Sequence, residues 1–181
     1  MKTLKMNIAL LTIFILGLQC MNAVNRNINC LNVSVTAVYH KDVLENCKIS
    51  LIEGNSVIQT LDKPNRGNKY KLTLQSNSHY TIIISCEGFH KRKISIDTSI
   101  PDSISLAMIF EFCAKVEMIP VSVTLSGEFD DHPVAIISYD NKNDVFNMNK
   151  KYTKNVKKAV FKPESLYEEQ GVTPEYNYSA K

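Results

Sequence analysis

The chain reads as an all-β protein, an antiparallel Greek-key β-sandwich of seven to eight strands followed by a short helical or disordered tail. Three observations predict it. Runs of alternating apolar and polar residues recur between residues 33 and 139, turn residues separate them at regular intervals, and no helical period competes before residue 149. The 181 residues suit one domain with flanking segments, and 44% hydrophobic against 22% charged residues place the chain among globular proteins. The expected organisation is a signal peptide over 1–23, a sandwich over 30–140, and a lysine-rich then acidic, partly disordered tail over 141–181.

Residues 33–39 put Val33, Val35, Ala37 and Tyr39 on one face and Ser34, Thr36 and Val38 on the other, the period of a half-buried strand. Residues 48–52 repeat the pattern with Ile49 and Leu51 inward, Glu53-Gly54-Asn55-Ser56 reads as a tight turn, and 57–61 return the chain. A loop spans 63–68. Tyr70, Leu72 and Leu74 then face one way, 75–78 turn, and Tyr80, Ile82, Ile84 and Cys86 make the next inward row. Gly88 supplies a bend that a residue without Cβ takes readily, and Ile94 and Ile96 mark a strand that stops at Pro101-Asp102.

A long strand is expected next, with Ile104, Leu106, Met108, Phe110 and Phe112 on one face and Ser105, Ala107, Ile109, Glu111 and Cys113 on the other. Val121, Val123 and Leu125 alternate with Ser122, Thr124 and Ser126 as a further strand, and 134–139 read as the last. Six lysines fall within residues 150–162. Lys150, Lys154, Lys157 and Lys158 share one helical face and Tyr152, Val156, Ala159 and Val160 another, so a short amphipathic helix should end before Pro163.

Lys2 and Lys5 precede an apolar run over 8–18 that meets Gln19, Cys20 and the small Ala23, the layout of a cleaved secretory signal. A membrane-spanning helix needs about 20 apolar residues, more than this run offers. The expected location is therefore extracytoplasmic: periplasmic, outer-membrane associated or secreted. Gly17-Leu18-Gln19-Cys20 distantly resembles the bacterial lipoprotein box, making Cys20 a candidate lipidation site, although that box wants a small residue where Gln19 stands. Without Lys2 and Lys5 the 21 basic residues fall to 19 against 18 acidic ones, a net charge of about +1 that implies no polyanionic partner.

Four cysteines remain, Cys30, Cys47, Cys86 and Cys113, and an exported compartment permits disulfides with three alternative pairings. Cys86 and Cys113 also sit in strand patterns as small buried hydrophobes, and the balance leans towards free buried thiols.

Chemistry-bearing motifs are sparse. There is no G-x-S-x-G elbow, and His40, His79, His90 and His132 are scattered through turns and strand ends, so no catalytic residues are assigned. No H-E-x-x-H or C-x-x-C suggests zinc, and Gly54, Gly67, Gly88 and Gly127 are isolated turn glycines rather than a phosphate cradle. Asp130-Asp131-His132 and Asp140-Asn141-Lys142-Asn143-Asp144 could offer oxygen ligands to calcium, but Lys142 spoils the alternation and Val145 stands where the EF-hand loop requires Gly. Ordinary hairpin loops are the expected reading, with no cofactor and no metal. The lysine-rich tail should be a solvated face, with membrane contact only through it or through a lipidated Cys20, and no nucleic-acid partner. Asn32-Val33-Ser34 and Asn177-Tyr178-Ser179 match the glycosylation acceptor.

A strand, a hairpin, a polar loop, Tyr70-Lys71-Leu72-Thr73-Leu74, a short turn, His79-Tyr80-Thr81-Ile82 and Glu87-Gly88-Phe89 follow in order. This pattern over residues 33–96 resembles the carboxypeptidase regulatory-like (transthyretin-like) domains of exported Bacteroidetes proteins, and residues 133–153 are similar to a C-terminal extension of some of them. The resemblance implies an Ig-like or transthyretin-like sandwich acting as an accessory module. It supplies no catalytic residues. One departure is Arg66-Gly67-Asn68, where such domains often have an Asp-Gly or Asn-Gly turn. The function expected is a non-enzymatic envelope module that binds a protein or envelope component through loops or a sheet edge. A module for a glycan or small molecule is the alternative.

Overall fold

The computed structural model describes residues 28–65, 67–101, 103–104, 108–125, 132–160 and 179–180. The expected leader with Cys20, the Asp130-Asp131 pair, the Asn177 acceptor and the acidic end beyond the lysines lie outside the described residues. Among the described residues, eleven strands and one helix follow one another: β1 (Asn29–Tyr39), β2 (Asp42–Val43), β3 (Cys47–Glu53), β4 (Ser56–Leu61), β5 (Tyr70–Gln75), β6 (His79–Cys86), β7 (Arg92–Asp97), β8 (Phe110–Glu117), β9 (Ala135–Asp140), β10 (Val145–Met148), α1 (Lys150–Val160) and β11 (Ser179–Ala180). They form the two-sheet, all-β sandwich that the alternation predicts.

The first sheet has the order β11-β8-β1-β2, with β5 also paired to β1, and the second runs β10-β9-β7-β6-β3-β4. Val33, Val35 and Ala37 of β1, Leu72 and Leu74 of β5, and Phe112, Ala114 and Val116 of β8 face Ile49 and Leu51 of β3, Ile82 and Ile84 of β6, and Ile94 and Ile96 of β7 in one core. Most of these side chains are under 3% exposed. Burying an aliphatic side chain of this size contributes about 1.5–3 kcal/mol, so this interior drives the fold.

Several expectations are corrected. The sheets are not wholly antiparallel, because β1 pairs β8 and β7 pairs β9 in parallel. The strand expected from residue 104 begins at Phe110: the Ile104 N–H turns back to the Pro101 carbonyl at 3.0 Å, and Met108 and Ile109 are exposed. Residues 121–125 are not a strand, because the Val121 and Val123 N–H groups go to the Gly88 and Pro120 carbonyls, each at 3.0 Å. Val38, placed on the outward row, is buried. The second sheet also runs past residue 140, since β10 pairs β9 and places Phe146 in the core at 1% exposure.

Cys47 and Cys86 are directly opposite on β3 and β6 and form a disulfide, while Cys30 and Cys113 are thiols. This corrects the leaning towards free thiols for the first pair. Asn32 belongs to a central strand, and its Oδ1 accepts from the Thr73 hydroxyl at 2.9 Å, so it is no loop acceptor.

Turn chemistry follows the sequence where glycine was expected. Gly54 and Gly88 adopt φ of +58° and +79°, which L side chains rarely take. Gly88 lets the chain double back, so that Phe89 reaches Pro120 as an isolated bridge and meets Tyr39 edge-on with ring centroids 5.3 Å apart. In the 63–68 loop, Asn65 bridges Lys69, and Gly67 and Asn68 are both left-handed. Arg66 lies outside the described residues.

Candidate functional site

The histidines do not converge on a common centre. The His40 backbone N–H donates to Glu117 Oε1 at 3.0 Å, in an exposed turn. His90 Nε2 lies 2.9 Å from the Val123 carbonyl, where it fastens the 119–123 loop, and His132 is exposed. His79 faces Asp97 across β6 and β7 at 3.8 Å, with 79% of the histidine side chain exposed. Burial raises the Asp97 carboxyl, but the Ser99 hydroxyl and backbone N–H, together with His79, outweigh it and hold the group below its ordinary value. Among the described residues no group of three or more His, Cys, Asp or Glu could hold a metal ion.

The Asp140–Asp144 segment is a hairpin loop between β9 and β10. Asp140 accepts from the Asn143 side-chain amide at 2.7 Å and the Lys142 N–H at 3.0 Å, which lowers its pKa. Asp144 accepts from the Tyr139 hydroxyl at 3.1 Å. Both carboxylates thus serve the turn, as Asx side chains commonly do.

Asn149 caps helix α1, its Oδ1 accepting the Tyr152 N–H at 3.0 Å. The Tyr152 hydroxyl donates to the Pro133 carbonyl at 2.9 Å, docking the helix against the end of β9. Lys150 and Lys154 are exposed and Tyr152 and Val156 half-buried, in keeping with the expected faces. The side chains of 157–160 lie outside the described residues.

Strand β4 is different in kind. It forms one edge of the second sheet, its five residues Ser56 to Thr60 are exposed and Leu61 is half-buried, with Val57 and Ile58 at 61% and 50%. Its sequence, SVIQTL, contains no charge and no proline. An edge strand turns alternate N–H and C=O groups to solvent, and proteins commonly guard such edges with charges, short strands or bulges. The other edges carry such guards: Lys71 on β5, only two residues each in β2 and β11, and only four in β10. β4 has one guard, a bulge at Ile58, where the register slips from Leu51↔Gln59 to Ile52↔Val57. The lysines of α1 are remote from it, because α1 packs at β9 and four strand spacings, roughly 19 Å, separate β9 from β4.

Beside this edge, the outer face of the second sheet holds a groove of about 490 Å³. Ile52, Thr81, Ile83, Lys93 and Ser95 line its floor, with Gly54 and Asn55 of the β3–β4 turn and Pro133 also lining it. All the floor residues are half-buried, and alternation along β3, β6 and β7 puts them outward. The sequence predicts binding through loops or a sheet edge, but neither which strand forms that edge nor the groove beside it. The strand pattern of 57–61 was visible in sequence, but its edge position depends on which strands pair.

These features define a two-sheet all-β sandwich protein in which β4 forms an exposed, uncharged edge among the described residues. No protein-family model matches the chain, and no curated protein matches it. Among solved structures it is similar to 3-chlorocatechol 1,2-dioxygenase from Rhodococcus opacus 1CP, at 8% identity over 56% of this chain and 64% of that one, with a TM-score of 0.33. It is also similar to catechol 1,2-dioxygenase from Acinetobacter sp. ADP1 inhibited by bound mercury, at 9% identity over 55% of each chain, with a TM-score of 0.32. The chain spans less than two-thirds of the length of either enzyme, and likeness at these scores carries no argument about activity.

Proposed function

We propose that this protein is a non-enzymatic module of the cell envelope, exported by its N-terminal leader, that holds a partner protein by strand addition along β4. The observation that carries the reading is the six-residue β4 edge, free of charge and proline and with Val57 and Ile58 exposed beside unpaired backbone. Main-chain hydrogen bonds along such an edge supply affinity to an extended peptide, and the side chains beside it supply selectivity. The Cys47–Cys86 bond supports the extracytoplasmic part, because stable disulfides are rare where glutathione keeps thiols reduced. We further propose kinship with the carboxypeptidase regulatory-like domains, on the 33–96 pattern and an all-β sandwich compatible with it.

The test is recovery of a stoichiometric partner from envelope extract with the tagged mature chain, set against an Ile58→Lys variant. The reading expects one dominant partner that the lysine removes. Because Ile58 is 50% exposed, the variant should keep its stability within about 0.5 kcal/mol. Retention of the partner by Ile58→Lys would sink the edge assignment, and absence of any partner would sink the module reading.

The groove on the outer face favours a second reading, a small-molecule or glycan site. Its volume falls within the usual range of ligand pockets, and Thr81 and Ser95, opposite one another on β6 and β7, offer two neighbouring hydroxyls above Ile52 and Ile83. Glycan-array binding that Thr81→Val abolishes would favour this reading over the first.

A further inference from the structure

We propose that oxidation of Cys47 and Cys86 is what commits this chain to its folded state, so that it becomes fully stable only after leaving a reducing compartment. The compartment in this proposal rests on the export reading above, and the mechanism rests on the fold.

The bond joins the first residue of β3 to the last of β6, with 39 residues of separation and Cα atoms 4.3 Å apart. The loop that it closes contains β3, β4, β5 and β6, strands from both sheets. Its principal effect is on the unfolded chain: closing a loop of this length removes conformational freedom from the denatured ensemble while the native pairing is already in place. The Tyr70 hydroxyl holds Cys47 from the opposite sheet, 2.7 Å from its carbonyl and accepting its N–H at 3.2 Å. In the folded protein Cys47 and Cys86 are 2% and 8% exposed, so a reductant must wait for local opening.

The fold also selects this pairing among the three. Cys30 and Cys113 lie on neighbouring strands, but β1 and β8 are in parallel register with Leu31 beside Phe110 and Ser34 beside Cys113. Cys30 is thus four residues out of step with Cys113, roughly 13 Å along the strand, beyond the 7 Å that a disulfide spans. Burial pushes the Cys30 thiol up to about 11, which suppresses the thiolate that reacts. In the oxidation, the Cys47 and Cys86 thiols pass two electrons and two protons to an external disulfide oxidant, which leaves as a dithiol.

The purified mature chain melted with and without dithiothreitol tests the lock. Reduction should lower Tm by about 10 °C. Cys47→Ala/Cys86→Ala should melt at the reduced temperature and ignore reductant, and Cys30→Ala/Cys113→Ser should respond as the natural chain does. A fall below about 2 °C in the natural chain, or a reductant response that survives in Cys47→Ala/Cys86→Ala, overturns the lock. Cell fractionation with thiol alkylation reads the compartment separately. An oxidised extracytoplasmic pool is expected, and a cytoplasmic pool with all thiols alkylated overturns the export reading while leaving the melting result intact.

Discussion

Tyr70 is fully buried, and its hydroxyl works as a tie between the sheets: 2.7 Å from the Cys47 carbonyl, 2.9 Å from the Glu45 carbonyl, and accepting the Cys47 N–H. Alternation marks Tyr70 as inward but is blind to where a buried hydroxyl finds its partners. Tyr70→Phe should therefore cost about 1–3 kcal/mol in urea unfolding, since it leaves buried backbone groups without a partner. A loss under a few tenths would show that the tie is idle. Asp97 gives a pH signature. Its folded value lies below the ordinary 3.8, so its contribution is present above that value and lost as pH falls through the lower folded one. Asp97→Asn should flatten the loss of stability below about pH 4, and an unchanged acid limb would refute the assignment. Thr98 escaped sequence reading altogether. It is completely buried, its hydroxyl lies 2.7 Å from the Gln75 carbonyl and accepts the Ser78 N–H at 3.0 Å, yet no spacing marks a threonine as a turn anchor.

At the scale of elements, period 2 identified the strands with a buried row and failed where alternation lacked a backbone partner. Residues 104–109 and 121–125 alternate in sequence as well as 33–39 do, but the Ile104, Val121 and Val123 N–H groups go to the Pro101, Gly88 and Pro120 carbonyls rather than to a neighbouring strand. The opposite failure is β10, four residues with one fully buried side chain behind an acidic turn, too short to announce itself. Its Phe146 forms a ring cluster with Phe110 and Tyr139, with centroids 5.4 to 5.6 Å apart, and so joins β8 of one sheet to β9 and β10 of the other. Phe146→Ala should cost about 3–5 kcal/mol, and equilibrium unfolding in denaturant measures it. If the cost is under 1 kcal/mol, β10 is an appendage rather than part of the core. The β4 edge shows why a site can be half legible. Its uncharged composition is local and readable, whereas its place at the rim is decided by β3 pairing β6 on its other side, some 30 residues away in sequence.

For the whole molecule, the deciding joins are the two parallel pairs. β1 lies between β5 and β8, and its pairing with β8 spans Leu31 to Val38. Residues 33–96, which carry the resemblance to a compact domain family, leave β1 without its β8 neighbour and β7 without β9. Phe112, Ala114, Val116, Ala135, Ile137 and Phe146 would be missing from the core they share with the earlier strands. Nothing in residues 33–96 announces that dependence, because alternation reports which face is buried and not which distant strand completes the sheet. A fragment of residues 24–104 should therefore lack a cooperative thermal transition and bind a hydrophobic dye, since the inner rows of β1 and β7 lose the strands that flank them. The oxidised fragment must be used, so that loss of the Cys47–Cys86 bond is not mistaken for loss of β8 to β10. Cooperative melting within a few degrees of the whole chain would instead make 33–96 the self-sufficient unit, with everything after it a covering layer.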